Sequence, residues 1–425
     1  MPSPGRGKRI SAHMVIAVVV AVVLASCAET RSGIGGSGPA VPYGANADDY
    51  RSALADTEPV TIYVQATNPA GSLNISDLEM YMKTVTEWSG EKITFDVAYS
   101  NAIAKAEDAD DALEDGRIDM ALVIPGYEPS EFPVSNAMAK ATLFADQSPI
   151  EGTLSATSWM TEFAFSSPEL TEEFEEKRLK ILNPANFVGG PLMFCPQSRT
   201  DLSAFKGTTV SSGSTEHSAQ VSALGASPVS IPYSDVYEGV QRGVVDCVVT
   251  AATGAIATNV VDVAPQVTFS PDLPATSNPA VWAFSADTWN SLPLAAQQLL
   301  WDKLSVLYAV QLEKSMKLYA EVSQQIAEAG GSVKPYTPGA RRSIEQASTA
   351  LLAEFAESDA VPDPSTFLAG ARAAAEKWKP IPAESGYRNE ADLAGFSEWF
   401  TTADLDFTEY ADRVHRDVYL PHRPS

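Results

Sequence analysis

Between Phe205 and Gly254, apolar stretches of strand length alternate with amphipathic stretches of helix length, and a glycine stands at each reversal. Thr208 to Ser211 reads as a short strand. Ser212 or Ser214 can cap a helix running to Leu224, with Gly225 where a left-handed residue follows a helix end. Pro228 to Ile231 is extended, Ser234 or Asp235 can cap Val236 to Arg242, and Gly243 closes that turn. Val244 to Val249 is apolar apart from Asp246, the pattern of a strand buried on both faces. This succession predicts a parallel α/β lobe. Ala112 to Val123 repeats the build of Gly239 to Val249: helix end, glycine, β-branched residue, aspartate, apolar strand. The repetition points either to two similar lobes or to the ordinary reuse of helix–glycine–strand units.

At the N-terminus, Arg6, Lys8 and Arg9 precede a wholly apolar run from Val15 to Ala25, closed by Leu24-Ala25-Ser26-Cys27. This order resembles a bacterial lipoprotein signal, and the run is short for a transmembrane helix. It implies a leader over residues 1–26 and a lipidated Cys27 holding the chain at a membrane surface. Residues 27–57 are expected to be a flexible tether, because glycine and proline punctuate a stretch poor in large apolar groups. The folded part is then expected from about Pro59.

Composition narrows the function. Hydrophobic residues make up 45% and charged residues 20%, which is globular. A net charge of −25 sets the surface against nucleic acid. With Cys27 lipidated, Cys195 and Cys247 remain as a pair in apolar strand-like runs. An oxidising compartment predicts a disulfide between them, the alternative being two buried free thiols. The four histidines are scattered, so no metal site is expected. No Gly-x-Ser-x-Gly elbow follows a strand, no Walker loop occurs, and no Gly-x-Gly-x-x-Gly opens a helix. Glu216 and His217 adjoin, but neighbours on a helix point about 100° apart and make a poor proton relay. A place on a pocket rim is expected of them.

From Thr61 onward the chain resembles the solute-binding proteins of tripartite ATP-independent periplasmic (TRAP) transporters, the DctP-type family. The resemblance rests on the opening strand and loop Ile62 to Pro69, on Glu87-Trp88-Ser89-Gly90, and on Gly116-Arg117-Ile118-Asp119-Met120. Its most specific part is Asp201-Leu202 … Phe205-Lys206-Gly207, then Ala223-Leu224-Gly225-Ala226-Ser227-Pro228-Val229, then Ser234-Asp235-Val236-Tyr237 … Gln241-Arg242-Gly243-Val244-Val245-Asp246. Trp289-Asn290-Ser291-Leu292-Pro293 opens a helical pattern reaching Gly330, similar to the long helix that spans both lobes of the family. The resemblance implies a two-lobed α/β fold of periplasmic-binding-protein type, a Venus flytrap closing on a small-molecule solute. It implies delivery to membrane permease subunits, a monomer, and neither catalysis nor a cofactor. One lobe is expected over 58–187 plus about 268–298, the other over 188–267 plus about 299–380, with 381–425 an extension packed on a lobe.

The sequence departs from the family where the ligand is held. The arginine that ends the strand after Lys-Gly is replaced by Ser211, a second basic position by Pro191, and a later asparagine by Thr250. Losing an arginine fork removes charge-assisted hydrogen bonds worth about 1.5–3 kcal/mol each, which disfavours a simple dicarboxylate. The ligand-binding candidates are Gln65 and Asn68 in the first loop, Tyr127, Pro191, Ser211, Ser212, Ser214 and Glu216, Tyr233 and Thr250, with Trp159 and Trp282 as stacking faces. Each has a plainer reading as turn, cap or core.

Overall fold

The protein is described by a computed structural model over residues 38–187 and 189–425. Among these residues the chain forms strands β1 (Val60–Gln65), β2 (Ile93–Ala98), β3 (Met120–Val123), β4 (Leu179–Asn186), β5 (Leu192–Cys195), β6 (Thr209–Ser211), β7 (Ser227–Val229), β8 (Cys247–Thr250), β9 (Gln266–Thr268), β10 (Ala280–Ser285) and β11 (Ser332–Lys334). They build two sheets, ordered β2-β1-β3-β10-β4 and β11-β9-β5-β8-β6-β7.

Helical crossovers make the parallel pairs. Between β1 and β2 runs the Ser76–Ser89 helix, which buries Leu78, Tyr81, Met82 and Val85, a stripe at i, i+3, i+4 and i+7. Gly90 ends it in a left-handed turn at φ 63°. The predicted lobe around Phe205 to Gly254 is present, with β6, β7 and β8 parallel. Neither sheet is parallel throughout. β5 runs antiparallel to β8 and β9, and β10 antiparallel to β3 and β4, because the chain crosses from one sheet to the other after β4 and returns after β9. The β8 strand also starts later than its apolar pattern suggests: the Val244 N–H bonds to Gly239 O at the end of the preceding helix, and Val244 is exposed.

The long helix is not one element. Trp289 belongs to a short helix, Ala286–Ser291, and Pro293, which has no N–H to give, separates it from Leu294–Asp302. A further break at Lys303 precedes Leu304–Glu328. That last helix packs on Ser76–Ser89 from one sheet's layer and on Ala252–Thr258 from the other's. Its Lys314 pairs with Asp77 of the former at 2.6 Å.

Residues 38–57, expected as tether, are folded. Asn46 caps the Ala47–Ala53 helix through a reciprocal bond with Asp49. Its one buried residue, Tyr50, donates to Asp302 at 2.6 Å. Composition misled here because a few anchoring groups suffice to hold a polar segment. Cys27 and residues 1–37 lie outside the described residues.

Beyond Pro380 the chain lies over the long helices. Trp301 Nε1 donates to Tyr419 O at 2.9 Å, and the Ser158 hydroxyl lies 2.9 Å from both Tyr308 and Tyr410 hydroxyls. In the second sheet, Cys195 and Cys247 are joined by a disulfide. The antiparallel register of β5 and β8, which pairs Phe194 with Val248, sets the two cysteines opposite each other, with Cα atoms 4.4 Å apart.

Candidate solute-binding site

Three neighbouring strand ends meet at one end of the second sheet. Ser211 ends β6 and pairs with Val248; Thr250 ends β8 and pairs with Leu192, so Pro191 stands just beyond. Parallel strands present their carboxyl ends there, the usual position for ligands in α/β sheets. Ser211 is buried, and Ser212 shares a 2.8 Å hydrogen bond with Ser218.

Ser214 is committed to structure. Its hydroxyl accepts from the His217 N–H at 3.1 Å and caps the Thr215–Ala223 helix. Glu216 lies 3.7 Å from Lys140 Nζ, tying this helix to Pro133–Ala141 of the other layer. His217 Nε2 donates to Thr276 O at 2.9 Å, and burial holds its pKa below the ordinary imidazole value. That bond turns Nε2 toward a main-chain carbonyl rather than toward Glu216. His217 and Pro191 line a cavity of about 60 Å³, together with Gln147, Gln220 and Tyr336.

Tyr233 and Thr250 are brought together. A Cβ placed on Gly254 would lie 2.0 Å from Thr250 Oγ1 and 2.5 Å from the Tyr233 hydroxyl, so these groups converge on bare backbone. Tyr233 is 54% exposed, yet desolvation pushes its pKa up to about 12 against the lowering bond from Thr250. Tyr233 lines a hollow of about 480 Å³ with Ser234, Tyr237, Asn259 and Asp262. Tyr127 follows β3 in the first sheet, is 57% exposed, and is likewise raised, chiefly by desolvation and then by the charge of Glu107.

Other candidates serve elsewhere. Gln65 is buried and its side-chain oxygen accepts from Ile103 and Ala104 N–H at 3.0 and 2.8 Å, bracing the turn after β2. Asn68 bonds to Thr67 and accepts from Asn74 within its own loop. Trp159 and Trp282 are 1% and 3% exposed and offer no stacking face to the site; both are core. Trp159 borders a separate hollow of about 310 Å³ beside Arg372 and Lys379. Sequence reading missed Gly254, and also Lys140 and Gln147, whose places depend on contacts distant in the chain.

Two mixed α/β sheets, joined by crossing strands and a long shared helix, with polar groups gathered at strand ends, define a two-lobed ligand-binding protein. The chain belongs to family 7 of the bacterial extracellular solute-binding proteins, the DctP family, whose model matches residues 64–359. No curated protein sequence matches the chain. Solved structures share the fold. A marine metagenome TRAP solute-binding protein from an unidentified microbe, specific for aromatic acids and crystallised with 3-hydroxybenzoate, is 15% identical with a TM-score of 0.64, covering 76% of this chain and 99% of its own. A TRAP protein of Desulfovibrio desulfuricans with bound sn-glycerol-3-phosphate is 15% identical over 74% of this chain and 97% of its own, TM-score 0.61. One from a Sulfitobacter species with β-D-galacturonate is 16% identical over 73% and 99%, TM-score 0.58. Among the described residues no helix is long and apolar enough to cross a membrane, and no group of three or more His, Cys, Asp or Glu could hold a metal.

Proposed function

We propose that the protein captures a small polar organic solute between its two lobes and delivers it to the membrane subunits of a TRAP permease, without chemical change to the solute. The observation that carries this reading is the meeting of Pro191, Ser211 and Thr250 at the ends of neighbouring strands in a chain of this family. One lobe comprises 58–187 and about 268–298, the other 188–267 and about 299–380, and closure buries the solute. The leader 1–26 is removed and Cys27 lipidated, so a monomer works tethered on the extracytoplasmic face of the cell membrane.

A thermal-shift screen of the mature chain against organic acids, sugars, polyols and ammonium compounds tests the binding. A solute at 100 times its Kd stabilises by about 2.7 kcal/mol. A screen without any shift, joined to transport by the cognate permease that proceeds without this protein, removes the reading. Cys27→Ala should move the protein from the membrane fraction to the soluble one; persistence in the membrane fraction removes the lipid anchor.

A further inference from the structure

The hollow of about 310 Å³ beside Trp159 is lined by two parts of the chain that differ in origin. Ser155 and Trp159, from the Glu151–Ser166 helix, belong to the body of the fold, as does Asp146 just ahead of that helix. Arg372, Glu376 and Lys379 lie on and just past the Pro364–Trp378 helix, beyond residue 359, where the match to the family ends. The hollow shares no lining residue with the strand ends at Pro191, Ser211 and Thr250.

The polar groups that line it are largely unspent. Trp159 Nε1 is buried and has no hydrogen-bond partner among the described residues, an arrangement that is unfavourable until a partner arrives. Ser155 stands four residues earlier, on the same helix face, and its hydroxyl makes no hydrogen bond among the described residues. Arg372 lies over the Phe144 ring at 4.2 Å, and neither it nor Lys379 has a carboxylate partner among the described residues. Glu376 is four residues after Arg372 and three before Lys379, the spacings at which helical ion pairs form, yet it pairs with neither. Asp146 accepts from the Ser148 N–H at 2.8 Å and from its hydroxyl, with no cation opposite. Asp272, by contrast, is used up, with both oxygens on Arg341 at 2.8 and 2.7 Å.

Two unpaired cations and two carboxylates without a cation therefore face one space. A simple anion placed there meets Glu376 and Asp146 as well as the cations, and a simple amine meets the reverse; a molecule carrying both charges leaves neither sign unmatched. Size points the same way. Ligand pockets run from about 300 to 1,000 Å³, so a hollow of about 310 Å³ has room for one free amino acid and little more.

We propose that this hollow is a second binding site, for a zwitterionic small molecule of the free amino-acid class. Its carboxylate is met by Arg372 and Lys379 and its ammonium by Glu376 and Asp146, with Trp159 Nε1 and Ser155 Oγ as neutral hydrogen-bonding groups. The site stands apart from solute capture at the strand ends and does not depend on it.

The test follows the indole N–H signals of the isotope-labelled mature chain by NMR, with Trp159→Phe identifying the Trp159 signal, alongside calorimetric titration. The probes are glycine, L-alanine and L-glutamine, set against acetate and ethylamine. At least one amino acid is expected to bind and move the Trp159 signal, while acetate and ethylamine bind roughly tenfold more weakly or not at all. Arg372→Gln, Lys379→Gln and Glu376→Gln change exposed side chains, so melting should stay near wild type while amino-acid affinity falls by roughly tenfold in each. If no amino acid moves the Trp159 signal, if acetate or ethylamine binds as tightly, or if the three variants bind amino acids like wild type, the inference is overturned. Amino-acid binding that survives in all three variants lies elsewhere, and none of these outcomes touches solute capture at Ser211 and Thr250.

Discussion

Lys314 and Asp77 form an ion pair at 2.6 Å with side chains only 3% and 1% exposed, joining the long helix to the first crossover helix. Lys314 Nζ also reaches Asn74 O at 3.3 Å, in the turn that leads into that helix. Either charge alone in this setting lacks water and partner. Asp77→Asn or Lys314→Met should therefore cost about 3–5 kcal/mol, while the paired replacement Asp77→Leu with Lys314→Met lies much closer to wild type. Chemical denaturation of the three variants decides it. Additive losses in the double variant would contradict the coupling.

The disulfide closes a loop across 52 positions of sequence. Loop-closure entropy for that length predicts that replacing both cysteines with alanine lowers stability by about 4 kcal/mol, less any strain the bond carries. Urea unfolding of the double variant measures it. A loss under about 1 kcal/mol would show that the sheet alone sets the register of β5 and β8.

His415 is 1% exposed and donates Nε2 to Trp301 O at 3.2 Å. Burial lowers its pKa from 6.5; Asp302 and Asp412 oppose that shift and Arg423 adds to it. His217 is lowered too, again first by burial. The unfolded imidazoles take up protons near pH 6.5 and the folded ones resist, so stability is complete above that pH and falls as pH drops below it. Each histidine contributes a slope of up to about 1.4 kcal/mol per pH unit. Unfolding free energy between pH 8 and pH 5 should show the decline, and His415→Gln should flatten it. An unchanged slope in the variant would assign the decline to other groups.

Gly254→Ala tests the setting of Tyr233 without touching the ring itself. The new methyl collides with Thr250 Oγ1 and the Tyr233 hydroxyl, so the ring must move. Solute affinity should fall by roughly tenfold while the fold survives, since Tyr233 is exposed and free to yield. Wild-type affinity in this variant would mean that the position of Tyr233 does not matter to binding.

Much of the second lobe was legible because its signals are local. Gly225 and Gly243 take φ of 86° and 69°, as residues after helix ends, and the helices and strands between them fall within a few residues of the periodic pattern. Cys195 and Cys247 were legible as a pair because both lie in apolar runs. The antiparallel entries of β5 and β10 were not, since they depend on which sheet the chain crosses into, and no residue near Pro191 or Ala280 announces it. The positions of Ser211 and Thr250 at strand ends were legible because they close short apolar runs. Gln65, Trp159 and Trp282 failed as site residues because burial and partners such as Ile103 N–H are supplied by distant segments. The folding of residues 38–57 was hidden for the same reason: Tyr50 is buried by Asp302 and its surroundings, not by its neighbours in sequence.

The two ends of the described chain are fastened to one place. Arg423 bonds Asp302 at 2.7 Å and the Val41 carbonyl at 2.8 Å, while Val41 N–H is held by Gln298 and Tyr50 by Asp302. A pull applied through the chain ahead of residue 41 is thus taken up by the Leu294–Asp302 helix and shared with the C-terminal residues, rather than by the edge of a sheet. The strand ends around Ser211 and Thr250 are mechanically insulated from that load.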